Sequence, residues 1–218
     1  MHDAQELLTC VLTALHEGGK QPPAVFASTT WSQVDRIFSA SVTSRLLCAS
    51  CRYVSHTTEP CSIIALHLPR GHSGCSLVDL LNNYFAVETL TGGDVATCSH
   101  CGLKSSTKKK LDLHMAPSVL VVQFKRFSAD GRRRNNPISF PLEGLRLCQT
   151  SSARIAIYDC LAIAQHHASP AHYTSLARRD PAGDWFCFND GSVSPVLPRD
   201  NFCNSSSVAY LLFYVRRP

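Results

Sequence analysis

Apolar positions give the first picture of the chain. Over residues 3 to 17, DAQELLTCVLTALHE, the residues Ala4, Leu8, Val11, Leu12 and Leu15 recur at helical spacing on one face, while Glu6, Cys10 and Thr13 lie off it. Asp3 and Glu6 suit a helix start, and Gly18-Gly19 a stop. GGKQPPAVFAS reads as a connector, and WSQVDRIFSASVTSRLLCASC as short mixed segments ending on a cysteine pair. From Tyr53 to Leu68 the pattern is strand-like and stops at Pro69. SLVDLLNNYFAVETL predicts an amphipathic helix built on Leu77, Leu80, Leu81 and Phe85, CSHCG a tight turn, and VLVVQF a buried strand. After the turn-rich SADGRRRNNPISFP come five β-prone runs, IAIYDCLAIAQH, HYTSLARR, DWFCFND, SVSPV and VAYLLFYVRR, parted by Pro, Gly, Asn and Asp. A helical start, a cysteine-bearing middle and a C-terminal antiparallel sheet make the expected class α+β.

Composition narrows the class. With 218 residues, 44% hydrophobic and 17% charged, the chain can bury a sizeable core and does not read as a disordered tail. No apolar run reaches the roughly 20 residues of a membrane helix, and the N-terminus lacks a signal-peptide core, so no membrane partner is expected. The formal net charge of +5 is modest. Lys108-Lys109-Lys110 and Arg132-Arg133-Arg134 raise a nucleic-acid reading, but they are expected in turns without interleaved aromatic residues, so solvated loops are the better account and no nucleic acid is expected.

Eleven cysteines, an odd number without an export signal, fit a reducing compartment, cytoplasm or nucleus, better than a disulfide scaffold. Four of them fall in two CxxC knuckles, Cys48/Cys51 and Cys98/Cys101. Four thiolates are the set that a tetrahedral structural zinc takes, and they leave no position for a catalytic water. The 46 residues between the knuckles require a substantial insertion to bring them together, and the alternative is four unligated thiols in separate turns. His56 and His100 are spare to this set.

His172 and Asn189 carry the second motif. A cysteine nucleophile needs a histidine base and a side chain that fixes its ring, and strand-turn-strand geometry can join residues 17 apart. Alone the pair is common and unspecific.

Seven ordered blocks give it meaning. His2-Asp3-Ala4-Gln5-Glu6-Leu7 is similar to the Q-D-A-x-E-F start of a helix in the ubiquitin-specific proteases, and the paired knuckles follow it as they do in that family. Val119 to Phe127 ends in QFKRF, YDCLAIAQH resembles Y-x-L-x-A-V-x-x-H, and Ala171 to Leu176 resembles G-H-Y-T-A-Y. Trp185 to Asp190 resembles W-Y-x-F-D-D, and Ala209 to Arg217 the closing A-Y-x-L-F-Y-x-R-R. The resemblance covers nearly the whole chain and implies a partial papain-like cysteine protease fold. In it residues 1–20 are the end of the thumb helix, 40–115 the zinc-bearing fingers and 116–218 the palm.

It further implies thiol-dependent deubiquitination, with His172 as base, Asn189 as its orienting residue and Asp190 as an auxiliary group. Zinc would sit on Cys48, Cys51, Cys98 and Cys101, while Asp3, Glu6 and Tyr173 would meet the basic tail of ubiquitin. Asp3 and Glu6 equally suit a helix N-terminus for its own sake.

The resemblance breaks at one point. The family's G-N-T-C-Y-like box, with its nucleophile and oxyanion asparagine, precedes the segment on which this chain starts, so the nucleophilic cysteine is expected to be absent and the chain inactive alone. Cys187 shares a strand face with Asn189 but has no helix dipole to activate it, Cys10 sits on the wrong element, and Cys61, Cys75, Cys148, Cys160 and Cys203 read as structural. Ala171 and Ala168 stand where the family has glycine, in a shortened loop HHASPAHY. The alternative is a non-catalytic, ubiquitin-binding pseudoenzyme. The missing thumb further implies apolar surface left exposed on the palm and on the 3–17 helix, and hence poor solubility in isolation.

Overall fold

Each helix begins where a short polar side chain takes up a free N–H. In the computed structural model, which describes residues 3–19, 32–71, 73–127, 131–168, 171–196 and 206–218, helix α1 (Ala4–Gly18) is capped by Asp3, whose carboxylate accepts from the Gln5 N–H at 2.6 Å. Helix α2 (Gln33–Phe38) starts in a capping box between Ser32 and Asp35. Of the connector read in the sequence, residues 20–28 lie outside the described residues, as do Met1, His2 and Cys203.

Strands β1 (Ala40–Cys48), β2 (Val54–Cys61) and β3 (Ile64–His67) follow, then β4 (Cys75–Ser76) and helix α3 (Leu77–Tyr84). Ser76 caps α3 through the Asp79 N–H, and Leu77, Leu80 and Leu81 are buried beneath it. The helix ends six residues earlier than the apolar pattern reached. Phe85 is its C-cap and still packs on the core, while Glu88–Leu90 forms β5, with Glu88 opposite Lys109. The β-branched Val87 and Thr89 favour that extended outcome.

The rest is strand: β6 (Thr107–Met115), β7 (Val119–Lys125), β8 (Ile138–Ser139), β9 (Leu145–Cys148), β10 (Ile155–Ala168), β11 (Ala171–Ala177), β12 (Phe186–Asn189), β13 (Ser192–Pro195) and β14 (Ala209–Arg216). Lys108-Lys109-Lys110 therefore belongs to β6, across from Leu47, Leu46 and Arg45, and not to a turn. The sheet there supplies their neighbours: Asp112 holds both Arg45 and Lys110.

Two large sheets organise the described residues, beside a short β4–β8 pair. A four-stranded antiparallel sheet, β2-β1-β6-β5, carries the cysteine knuckles at one end, and a large sheet runs β13-β12-β11-β10-β14-β7-β3 with β9 also on β10. Within residues 40–115, β3 joins the large sheet by a parallel ladder to β7, so that stretch is shared between the two sheets. The core lies on the large sheet, where Val122, Phe124, Tyr158, Leu212 and Tyr214 are fully buried. Tyr158 and Tyr214 donate their hydroxyls to the carbonyls of Pro117 and Pro141. Arg126 of QFKRF is also fully buried, and its guanidinium donates to the carbonyls of Ala209, Arg134, Asn136 and Ser206. Hydrogen bonds to that many carbonyls let a charge sit in the core without a carboxylate.

Helix α1 is attached thinly. Of the apolar face read from the periodicity, Leu12 alone is buried, and Val11 and Leu15 are exposed together with Leu7, as the sequence implied. No helix among the described residues is long and apolar enough to cross a membrane.

Candidate active site and cysteine cluster

The β-ladder places the imidazole. In β11–β12, Leu176 opposes Cys187 and Ser175 opposes Phe188, so the period of two puts His172, Thr174 and Leu176 on the same face as Cys187 and Asn189. His172 Nε2 and Asn189 Oδ1 are 2.7 Å apart. An amide oxygen only accepts, so Nε2 carries the proton and Nδ1 keeps the lone pair, the form a base requires. The ring is one-third exposed (33%), while Asp190 is 83% exposed with its Oδ2 3.8 Å from Nε2. Asp190 has φ +49°, a left-handed turn conformation that Asp tolerates better than most residues.

A neighbour that the sequence reading did not single out is His167, directly across the ladder from His172. Thr174 spends its hydroxyl proton on Gln165 Oε1 at 3.0 Å, so it accepts from His167 Nε2 at 2.9 Å. Burial, then the charge of His172 and of Arg133, hold His167 below the usual imidazole range. Cross-strand arithmetic from the hairpin would have found it.

Among the described residues, no thiol is hydrogen-bonded to this ring. Cys187 is half-buried against the core, Cys160 is buried, Cys61 and Cys75 are half-buried, and Cys10 and Cys148 are exposed. Burial pushes the Cys61 and Cys75 thiols up, away from reactivity. The Cys148 thiol thus lies on the surface of β9, reaching only the Gln149 carbonyl among the described residues, because alternation turns it away from buried Leu145 and Leu147.

Asp3 is engaged from within. Its carboxylate accepts the hydroxyl of Tyr210 at 2.7 and 2.6 Å, and Gln123 donates to the same hydroxyl oxygen at 2.9 Å. Tyr173 accepts from the Ala4 N–H at 3.5 Å, and Glu6 is exposed.

The two knuckles converge because β1 and β6 run side by side, with Cys48 opposite Thr107. The four sulfurs lie within 4.8 Å of one another, Cys48 to Cys101 at 3.9 Å and Cys51 to Cys98 at 3.7 Å. A tetrahedron with metal–sulfur bonds of about 2.3 Å has edges of about 3.8 Å, so the donor set fits a metal ion. Ser105 above all, then backbone N–H groups, draw the Cys48 thiol down to about 6. Cys51 is pushed up to about 12: the Tyr53 N–H acts against this, but burial and the crowding of the other three thiols prevail. A divalent cation would relieve that crowding. His100 is not a ligand in this geometry, because its ring stacks on Tyr53 at 5.0 Å.

Residues 1–214 match the profile of the ubiquitin carboxyl-terminal hydrolases. The chain belongs to that family. It is 29% identical over 243 residues to ubiquitin carboxyl-terminal hydrolase 2 of Bos taurus, covering 97% of this chain and 40% of that protein. With ubiquitin carboxyl-terminal hydrolase 21 of Homo sapiens the identity is 32% over 193 residues, or 84% of this chain and 33% of that one. Among solved structures, Ubp8 of a SAGA DUB module bound to monoubiquitin superposes with a TM-score of 0.80 at 25% identity, over 100% of this chain and 49% of that chain. A yeast SAGA DUB module gives 0.81 at 26%, over 99% and 51%. The fold is thus the papain-like hydrolase fold of this family, and the chain spans about 40% of the length of the first of these relatives.

Proposed function

We propose that this chain supplies the base-bearing part of a thiol deubiquitinase. One observation carries the reading: the 2.7 Å bond that fixes His172 with Nε2 protonated and Nδ1 open. In the reaction, Nδ1 takes the proton of a cysteine thiol, and the thiolate attacks the carbonyl carbon of the last glycine of ubiquitin. The imidazolium returns the proton to the leaving amine, and water, deprotonated by the same nitrogen, hydrolyses the thioester. Asn189 holds the ring throughout, and Asp190 adds negative charge near the imidazolium. By the family resemblance the nucleophile would belong to a cysteine box that these 218 residues do not contain, and the chain alone would then lack turnover.

Ubiquitin would lie over the cleft of about 810 Å³ between the two sheets, lined by Ile63, Tyr84, Glu88, Lys109, Leu111 and Lys125. Its tail would pass Glu6 and Tyr173, with Asp3 acting through Tyr210. Cys48, Cys51, Cys98 and Cys101 would hold Zn²⁺, whose part is to lock the fingertip, since four thiolates leave it no open position. Reduced thiols in this arrangement suit the cytoplasm or nucleus.

The thinly covered α1 favours a second reading, a ubiquitin-binding pseudoenzyme, and one experiment addresses both. Hydrolysis of a ubiquitin C-terminal fluorogenic amide should be absent, while labelled ubiquitin should still titrate weakly. Turnover abolished by His172→Ala would refute the missing nucleophile, and no titration at high concentration would remove both readings.

A further inference from the structure

The two cysteine knuckles are built alike, and that likeness exposes one difference. In the first, the Arg52 N–H bonds the Cys48 carbonyl at 3.1 Å and the Cys48 N–H bonds the Tyr53 carbonyl at 3.0 Å. In the second, Gly102 bonds Cys98 at 2.9 Å and Cys98 bonds Leu103 at 3.0 Å. Each leading sulfur takes two backbone N–H groups, from Ser50 and Cys51 at Cys48, and from His100 and Cys101 at Cys98.

The difference is Ser105. Its Oγ lies 3.3 Å from Cys48 Sγ, and no hydroxyl among the described residues stands in this relation to Cys98. Ser105 follows the second knuckle in the chain yet reaches the ligand of the first. Its backbone is held for that reach: Thr107 Oγ1 donates to the Ser105 carbonyl at 3.0 Å, and the Ala49 N–H bonds the next carbonyl, that of Ser106, at 3.1 Å. Toward a metal-bound thiolate, which has no proton to give, the hydroxyl can only donate.

We propose that Ser105 is a positioning residue of the metal site, donating its hydroxyl to the Cys48 thiolate and so tying the first knuckle to the chain that leaves the second. This rests on the reading that the four thiolates hold zinc. Outer hydrogen bonds of this kind fix a ligand's orientation and spread its charge, and losing one typically costs tenfold or more in metal affinity.

The test uses the whole chain loaded with Zn²⁺ or Co²⁺. Chelator competition on Ser105→Ala should show about a tenfold loss of zinc affinity, at the low end of the range for such contacts. The Co²⁺–thiolate charge-transfer band should also shift, because Cys48 then carries more of its own charge. Ser105→Thr should restore both values, and Ser106→Ala, at an exposed position, should change neither. Unchanged affinity and band in Ser105→Ala overturn the proposal. A loss of affinity that leaves the band unmoved, or that Thr fails to rescue, also overturns it, because loop damage alone would give that result. A wild-type chain that binds neither metal would instead overturn the zinc reading, before any variant is compared.

Discussion

Asp3→Ala should release α1 while leaving the large sheet folded. The Asp3 carboxylate caps the helix and accepts the Tyr210 hydroxyl, 207 residues away. Removing it costs about 1 kcal/mol for the cap. It also strands the proton of a phenol that is only 1% exposed, which costs about 2 kcal/mol for a bond to a charged acceptor. The total, about 3 kcal/mol, corresponds to roughly a hundredfold in an opening equilibrium.

Little else holds α1, since Leu12 is its one buried residue and its far end rests on His16, whose Nδ1 lies 2.9 Å from Asp35. Local opening should therefore be cheaper than global unfolding. Native-state hydrogen exchange reads this directly. The amides of Leu8, Val11 and Leu12 should lose about a hundredfold in protection, and those of Leu211 and Leu212 in β14 far less. Asp3→Asn, which keeps an oxygen for both contacts, should lose less than half as much free energy. Equal loss in helix and sheet would refute the reasoning, since Asp3 would then anchor the whole fold, and so would unchanged protection in α1.

Two further outcomes follow from single residues. Arg52 has φ +61° where the matching position in the second knuckle is Gly102 at φ +71°, so Arg52→Gly should stabilise the metal-loaded chain by about 1 kcal/mol, read as a higher Tm. Asp159 is held below the usual carboxylate range, first by the Arg217 guanidinium and then by the Gly144 N–H, with burial opposing them. A lowered folded value means this stability is complete above the unfolded value of about 3.9 and is lost as pH falls through the folded one. Urea unfolding between about pH 2 and 5 should thus show a slope that Asp159→Asn reduces, and an unaltered slope would assign it to other carboxylates.

The parts of the fold that depend on short-range alternation were legible in the sequence. The runs around Ile155, His172, Phe186, Ser192 and Ala209 are β10 to β14, and the period of two puts Cys187 and Asn189 on one face of β12, which the β11 ladder sets on the His172 side. The CxxC pairs were legible as a candidate donor set, but what joins them is a ladder between β1 and β6 that no local pattern announces. Long-range chemistry stayed hidden. Nothing local marks Tyr210 as the partner of Asp3, or the carbonyl cradle that buries Arg126, a residue that by type belongs at the surface. The periodicity of α1 gave the helix but not what covers it. Periodicity reports a face able to pack, whereas burial depends on what the rest of the chain brings against it.

The same distinction decides what fixes the candidate base. The His172–Asn189 bond is exposed to solvent, and such a bond contributes about 0.5–1.5 kcal/mol. Leu176, on the same face of β11, is 5% exposed, and Ile163 opposite it is 1% exposed. Burying each is worth about 1.5–3 kcal/mol, and a slip of one residue would turn the whole face outward. The apolar pair therefore sets the register, and the imidazole and amide meet as a consequence. A base placed in this way needs only β10, β11 and β12, consecutive strands joined by short connections, so its geometry is indifferent to where the attacking thiol resides.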